Sequence, residues 1–214
     1  MNIDFAQWLL LAPGIIIGLT IHEYSHAAAA RWLGDDTAAR MGRLTLNPLA
    51  HLDILGLLML FLAGFGWAKP VPVNPNKFSI DRRWGSLLVS LAGPASNLFL
   101  AFTGYLVLYL SFHPLRLTTE QSMISIVYGL IHINVILAAF NLIPLPPLDG
   151  SRILAIIFPV RYHAFIMEIE RYAPVIFILL IISGVLGRII RPVAAVLNEV
   201  VALPAGLLSR LLMS

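Results

Sequence analysis

The chain has no cysteine, which excludes disulfides and thiolate metal ligands and leaves no sign of redox compartment. It is also short of charge: 12% of its 214 residues are Asp, Glu, Lys or Arg, about half the share of a soluble chain. It contains no internal repeat, low-complexity tract or appended polar domain. No basic region precedes the first apolar run, Asp4 being acidic, so a cleaved signal peptide is not expected. What is present is 59% hydrophobic, with a mean hydropathy of +0.87. Several stretches reach the ~20 residues that cross a bilayer, and the composition predicts an integral membrane protein. The net charge of +3 comes from Arg and Lys in short loops, a pattern of membrane orientation that calls for no nucleic-acid partner.

The apolar segmentation predicts an all-α polytopic membrane protein of about four to six transmembrane helices. A first span is expected from about Phe5 to Leu33, stopping at Gly34-Asp35-Asp36. The run from Leu52 to Ala68 carries Gly56, Gly64 and Gly66 and leads into Lys69-Pro70-Val71-Pro72-Val73-Asn74-Pro75. Long spans are expected over residues 85–112 and 123–142, the second ending at Pro144, Pro146 and Pro147 just before Asp149-Gly150. A further span is expected over 172–186. The tail 192–214, with one interior acid at Glu199, reads equally as a last span or a surface helix. The whole, 1–214, is taken as one membrane domain with a core over about 5–158 and C-terminal membrane helices over about 164–214.

Basic residues set the expected topology. Arg31, Arg40 and Arg43 fill one loop, Lys69, Lys77, Arg82 and Arg83 the next, and Arg152, Arg161 and Arg171 a third, against Arg116 alone in 113–122. Such residues collect on the cytoplasmic side. The first two loops then share a side, so the intervening 52–68 run is expected to be re-entrant or hairpin-like rather than a span. Irregular backbone is tolerated at depth where protein or water covers it.

Between Phe5 and Ala30 the one charged side chain is Glu23, inside His22-Glu23-Tyr24-Ser25-His26. Ionisable groups in hydrocarbon are costly and mark function. On a helix, His22 and His26 share a face and can offer two nitrogens to one ion. Glu23, about 100° around, suits the base that acts on water in a zinc protease. His26 precedes Arg31 by five residues, roughly 8 Å inside the charged end. A catalytic zinc needs a third protein ligand. Asp149 is a candidate, on the same expected side, although Asp there equally suits a helix cap. Glu168 and Glu170 are alternatives, set among arginines that suggest a solvated face.

His22-Glu23-Tyr24-Ser25-His26, Gly93-Pro94-Ala95-Ser96-Asn97 and the stretch from Asn141 through Pro144, Pro146 and Pro147 to Asp149-Gly150 together resemble the site-2 protease family. The stretches 42–53 and 66–73 are similar to that family as well, so the resemblance covers about residues 8–158. It implies one zinc ion per chain held by His22, His26 and Asp149, with Glu23 as catalytic base. It also implies cleavage of a transmembrane segment of a membrane-protein substrate in the inner membrane of a prokaryote, and the basic loops put the site toward the cytoplasmic face. Members often carry PDZ or CBS domains; room for neither is expected in this chain, so substrate selection by such a domain is expected to be absent or supplied by an adaptor. Asn97, Asn141 and Pro147 are candidates for substrate contact, the asparagines equally for helix packing. His132 and Asn134 are expected to bond between helices, and His51, His113 and His163 to lie at the interface. The alternatives are a membrane zinc protease with a Glu ligand and a non-enzymatic metal transporter or scaffold. Nothing in the residues identifies an oligomeric state.

Overall fold

The computed structural model of the protein describes residues 5–63, 66–112, 121–153, 158 and 163–213. Its helices are α1 (Phe5–Trp32), α2 (Thr37–Arg40), α3 (Ile54–Ala63), α4 (Arg82–Phe112), α5 (Gln121–Asn141), α6 (His163–Ile182) and α7 (Val185–Met213). Short 3-10 turns occupy Pro48–Ala50 and Pro75–Lys77. Among the described residues four helices are long and apolar enough to cross a membrane: Trp8–Trp32, Arg82–Ser111, Gln121–Asn141 and Val185–Leu212. Among the described residues there is no strand.

Small residues let the core helices approach closely, as helices in lipid require. A Cβ on Gly14 of α1 would lie 2.9 Å from the Leu130 backbone of α5, and one on Gly18 the same distance from the Asn134 side chain. These contacts advance in step, so α1 and α5 run in the same direction. Val89 and Asn97 of α4 meet His26 and His22 in reverse order, so α4 is antiparallel to α1. The chain between α1 and α4 therefore starts and finishes at one end of the bundle. Where the re-entrant or hairpin-like segment is expected, it forms the ten-residue α3 and one isolated antiparallel bridge, Leu52 to Ala68. At ~1.5 Å per residue α3 is too short to cross. Its Gly56 accepts the returning chain: a Cβ there would lie 2.1 Å from the Trp67 carbonyl.

The C-terminal helices divide differently from the apolar pattern. The expected span 172–186 is interrupted at Ser183-Gly184, where Gly184 takes φ +70, a backbone that L side chains rarely adopt. Helix α6 accordingly ends at Ile182 and α7 starts at Val185. The tail, left open between span and surface helix, forms the 29-residue α7. Val201 joins Ala101, Leu108, Ile131 and Val135 in one apolar cluster. Tyr105 bonds Asn198 and Tyr109 approaches Gly206, so α7 runs parallel to α4. At the opposite end Leu186 packs with Ile143, Leu148 and Phe177 beside the site.

Candidate metal centre

The two histidines of α1 are oriented from behind. His22 Nδ1–H donates to Asn97 Oδ1 at 2.6 Å and His26 Nδ1–H to the Val89 carbonyl at 2.7 Å. With the proton on Nδ1, each Nε2 keeps a free lone pair. The Nε2 atoms stand 3.0 Å apart, and Asp149 Oδ2 lies 3.1 Å from that of His22 and 3.2 Å from that of His26. Donors around a tetrahedral zinc at ~2.0–2.1 Å are roughly 3.3–3.4 Å from one another. The triangle fits such an ion to within a few tenths of an ångström, and the donor set suits it: two neutral imidazoles and a carboxylate.

Asp149 is brought there by a chain of tight turns. Leu148 N–H bonds the Leu145 carbonyl, Gly150 N–H the Asn141 carbonyl at 2.6 Å, and Arg152 N–H the Asp149 carbonyl. A Cβ on Gly150 would lie 2.4 Å from the Leu142 carbonyl oxygen, so the loop closes only around glycine. The prolines at 144, 146 and 147 keep α5 from continuing, and the Asp149 side chain turns toward the histidines. Glu168, the alternative ligand, is exposed on α6; the side chain of Glu170 lies outside the described residues.

Glu23 is nearly buried, 8% exposed, and its Oε2 accepts the Val71 N–H at 2.9 Å. A cleft of about 830 Å³ opens in front of it, lined among others by His22, His26, Val71, Asn141, Pro147 and Asp149. Asn97 is fully buried and faces His22. Its amide hydrogens go to the Gly18 carbonyl (3.1 Å) and Asn134 Oδ1 (2.8 Å), so its polar atoms are all engaged away from the cleft. Asn141 donates to the Leu137 carbonyl at 3.0 Å.

The chain from 69 to 79 is strapped along the end of α1. Besides the Val71 bond, Asn74 N–H donates to Asp35 Oδ2 at 2.6 Å and Ser79 N–H to the Leu33 carbonyl at 2.7 Å. Burial pushes the Asp35 carboxyl up, but the Thr37 hydroxyl, the Asn74 and Thr37 N–H groups and the Lys77 charge outweigh it and hold it below its ordinary value.

Two site residues escape a reading of the sequence. Gly93 looks like part of a Gly-Pro kink, yet a Cβ there would lie 2.5 Å from His26 Nε2 and 2.6 Å from His22 Nε2. Only glycine lets α4 pass behind the donor atoms. His51, expected at the interface, is fully buried against protein; its Nε2–H donates to the Thr45 carbonyl and its own carbonyl accepts Lys69 N–H. The reason is local: the ring braces the loop that the 69–71 segment rests on. Asn134 bonds between helices as expected, whereas His132 is exposed and makes no hydrogen bond among the described residues. His113 and the side chain of His163 lie outside them.

Comparison with known proteins points the same way. The profile described as "Peptidase family M50" matches residues 113–183. The Bacillus subtilis protein named "Putative zinc metalloprotease YwhC" is 41% identical over 181 residues, covering 83% of this chain and 82% of that one. A Methanocaldococcus jannaschii protein of the same description is 31% identical over 153 residues, covering 72% of this chain and 73% of that one. Rip2 of Mycobacterium tuberculosis, so described as well, is 33% identical over 149 residues. That match covers 67% of this chain but only 55% of the mycobacterial one. No solved structure matches. On the identity and coverage of the Bacillus relative, together with the profile match, the chain belongs to peptidase family M50, the site-2 protease family.

Proposed function

We propose that the protein is a zinc endopeptidase that cuts a transmembrane segment of other membrane proteins within the bilayer. The observation that carries this reading is the convergence of His22 Nε2, His26 Nε2 and Asp149 Oδ2 to 3.0–3.2 Å beside Glu23, on a helix otherwise without charge from Phe5 to Ala30. Zinc, when bound by these three residues, supplies a Lewis acid that polarises the scissile carbonyl and lowers the pKa of water.

The chain's own groups supply the rest. Glu23 Oε2 is occupied by the Val71 N–H, which leaves Oε1 to take a proton from the attacking water. As the water oxygen bonds the carbonyl carbon and the C–N bond breaks, Oε1 returns that proton to the departing nitrogen. Asn97 and the Val89 carbonyl hold the imidazoles in the Nδ1–H tautomer through the cycle. For Asn97 this role is favoured over substrate contact, while Asn141 and Pro147, on the cleft wall, are the groups available to an unwound substrate.

The orientation follows from charge. Arg31, Arg40, Arg43, Lys77, Arg82, Arg83, Arg188 and Arg191 gather at the end of the bundle where α1 stops and α4 and α7 start. The positive-inside rule assigns that end, and with it the metal centre, to the cytoplasmic face of a prokaryotic inner membrane. The segment around α3 then re-enters from that face without crossing.

The test pairs metal analysis with cleavage. Purified wild type and Glu23→Gln are each expected to hold one zinc ion per chain, and only wild type to cut a reporter single-span substrate. A zinc-free wild type, or an unimpaired Glu23→Gln, refutes the reading.

A further inference from the structure

One peptide group joins a cation to the base. The Pro70 carbonyl and the Val71 N–H are opposite ends of the same planar unit. At one end Arg43 Nη2 donates to the Pro70 carbonyl at 3.3 Å and to the Lys69 carbonyl at 2.6 Å. At the other, the Val71 N–H donates to Glu23 Oε2 at 2.9 Å. We propose that Arg43 is a positioning residue for Glu23, acting through the Pro70–Val71 peptide; this rests on the reading of Glu23 as the base.

Three observations favour that role over a surface charge. The first is reach: Arg43 arrives from a separate loop, 26 and 27 residues away in sequence from the carbonyls it holds. The second is that the Nε–H of Arg43 is buried with no partner. An unsatisfied buried donor is destabilising, and such a group in a folded protein calls for an explanation. The third is the surrounding brace. Lys69 N–H bonds the His51 carbonyl at 2.7 Å, and Leu52 pairs with Ala68. With 68–69 pinned on one side, the guanidinium sets the tilt of the next peptide plane, and that plane aims the Val71 N–H.

The physics runs in one direction along the unit. A cation at the carbonyl oxygen polarises the peptide and strengthens its N–H as a donor. A firmer bond to Oε2 keeps Glu23 in one rotamer, with Oε1 toward the cleft. Without the cation the 69–71 segment is free to tilt, and Glu23 with it. A misplacement of about 1 Å in such a group costs about 10²-fold in rate, with little effect on ligands fixed separately by Asn97 and Val89.

The experiment uses the full chain in detergent, comparing wild type, Arg43→Met and Arg43→Lys for zinc content, melting temperature, kcat and KM on a reporter single-span substrate. The expected result for Arg43→Met is one zinc ion per chain, KM within about threefold and kcat reduced about 10- to 100-fold. Arg43→Lys, which keeps a cation, recovers most of kcat. In a Glu23→Asp background, whose shortened side chain no longer meets Val71, adding Arg43→Met is expected to have little further effect. A folded Arg43→Met with wild-type kcat overturns the proposal, as does a loss confined to KM or one that multiplies fully with Glu23→Asp. If Arg43→Met does not accumulate, Arg43→Gln is measured in its place, and the same outcomes decide. Should Glu23→Gln itself cleave normally, the base reading has failed; wild-type kcat in Arg43→Met beside an inactive Glu23→Gln refutes the positioning role alone.

Discussion

Replacing Gly93 by alanine puts a methyl carbon 2.5 Å from His26 Nε2 and 2.6 Å from His22 Cε1 and Nε2, against an ordinary contact of about 3.4 Å. The deficit of about 0.8–0.9 Å has two outlets. Helix α4 can retreat from α1, which stretches the His22–Asn97 and His26–Val89 bonds, now 2.6 and 2.7 Å, out of hydrogen-bond range. Alternatively the rings rotate, which breaks the same bonds and spreads the Nε2 atoms. Each buried bond lost costs about 1–3 kcal/mol, and losing the partners that orient a ligand typically lowers metal affinity 10- to 100-fold. Both outlets therefore predict Gly93→Ala to bind zinc at least about tenfold more weakly and to cleave at least about 10²-fold more slowly. Helical content by circular dichroism should be unchanged, since alanine favours a helix over glycine. Zinc competition with a chromogenic chelator, beside substrate cleavage, reads both numbers. Gly187→Ala on α7, where a Cβ meets nothing within 4 Å, is the control. If Gly93→Ala holds zinc and cleaves within twofold of wild type, the close passage of α4 behind the donors is not what forms the site.

Other substitutions separate ligands from their supports. Asp149→Asn is expected to lose zinc and Glu168→Gln to keep it; the reverse, in equilibrium dialysis, would transfer the third ligand to α6. Asn97→Ala should weaken zinc about 10- to 100-fold by releasing the His22 tautomer, whereas a substrate-contact role would raise KM and leave the metal in place. Gly150→Ala, set 2.4–2.5 Å from two carbonyl oxygens, should lower both zinc occupancy and melting temperature. Asp35 sets a pH dependence. Its folded pKa is depressed, so its contribution is present above the unfolded carboxylate value of 3.8 and fades as pH falls through the lower folded one. Melting curves below pH 4 should thus show wild type approaching Asp35→Asn, with the largest gap near neutrality. A constant gap would refute the coupling.

The histidine half of the candidate metal centre was legible because its cost is written in composition, whereas Asp149 stands even between ligand and helix cap until the family resemblance favours it. Two histidines and an acid in an apolar stretch demand partners, and three prolines ahead of Asp149 announce a backbone that cannot stay helical. Gly93 was not legible, since a glycine before a proline explains itself as a kink, and its use appears only when another helix supplies what it avoids. Arg43 was hidden by its own charge, counted with its neighbours as a marker of topology. The division at Ser183-Gly184 was missed because the apolar run continues through it, and hydropathy records no φ.

The segment that steadies Glu23 has a further consequence, seen from the peptide lying against it. Of residues 69–73, Pro70 and Pro72 have no N–H, and the N–H groups of Lys69 and Val71 are already given to His51 and Glu23. With the Lys69 and Pro70 carbonyls already accepting from Arg43, the backbone beside the cleft keeps the Val71 and Pro72 carbonyls as acceptors and has almost no free donor among the described residues. A chain drawn alongside can be held by its amide hydrogens but not by its carbonyls. On the proposed function, a substrate lying there meets acceptors for its amide hydrogens, while the electrophilic half of each peptide bond stays unengaged.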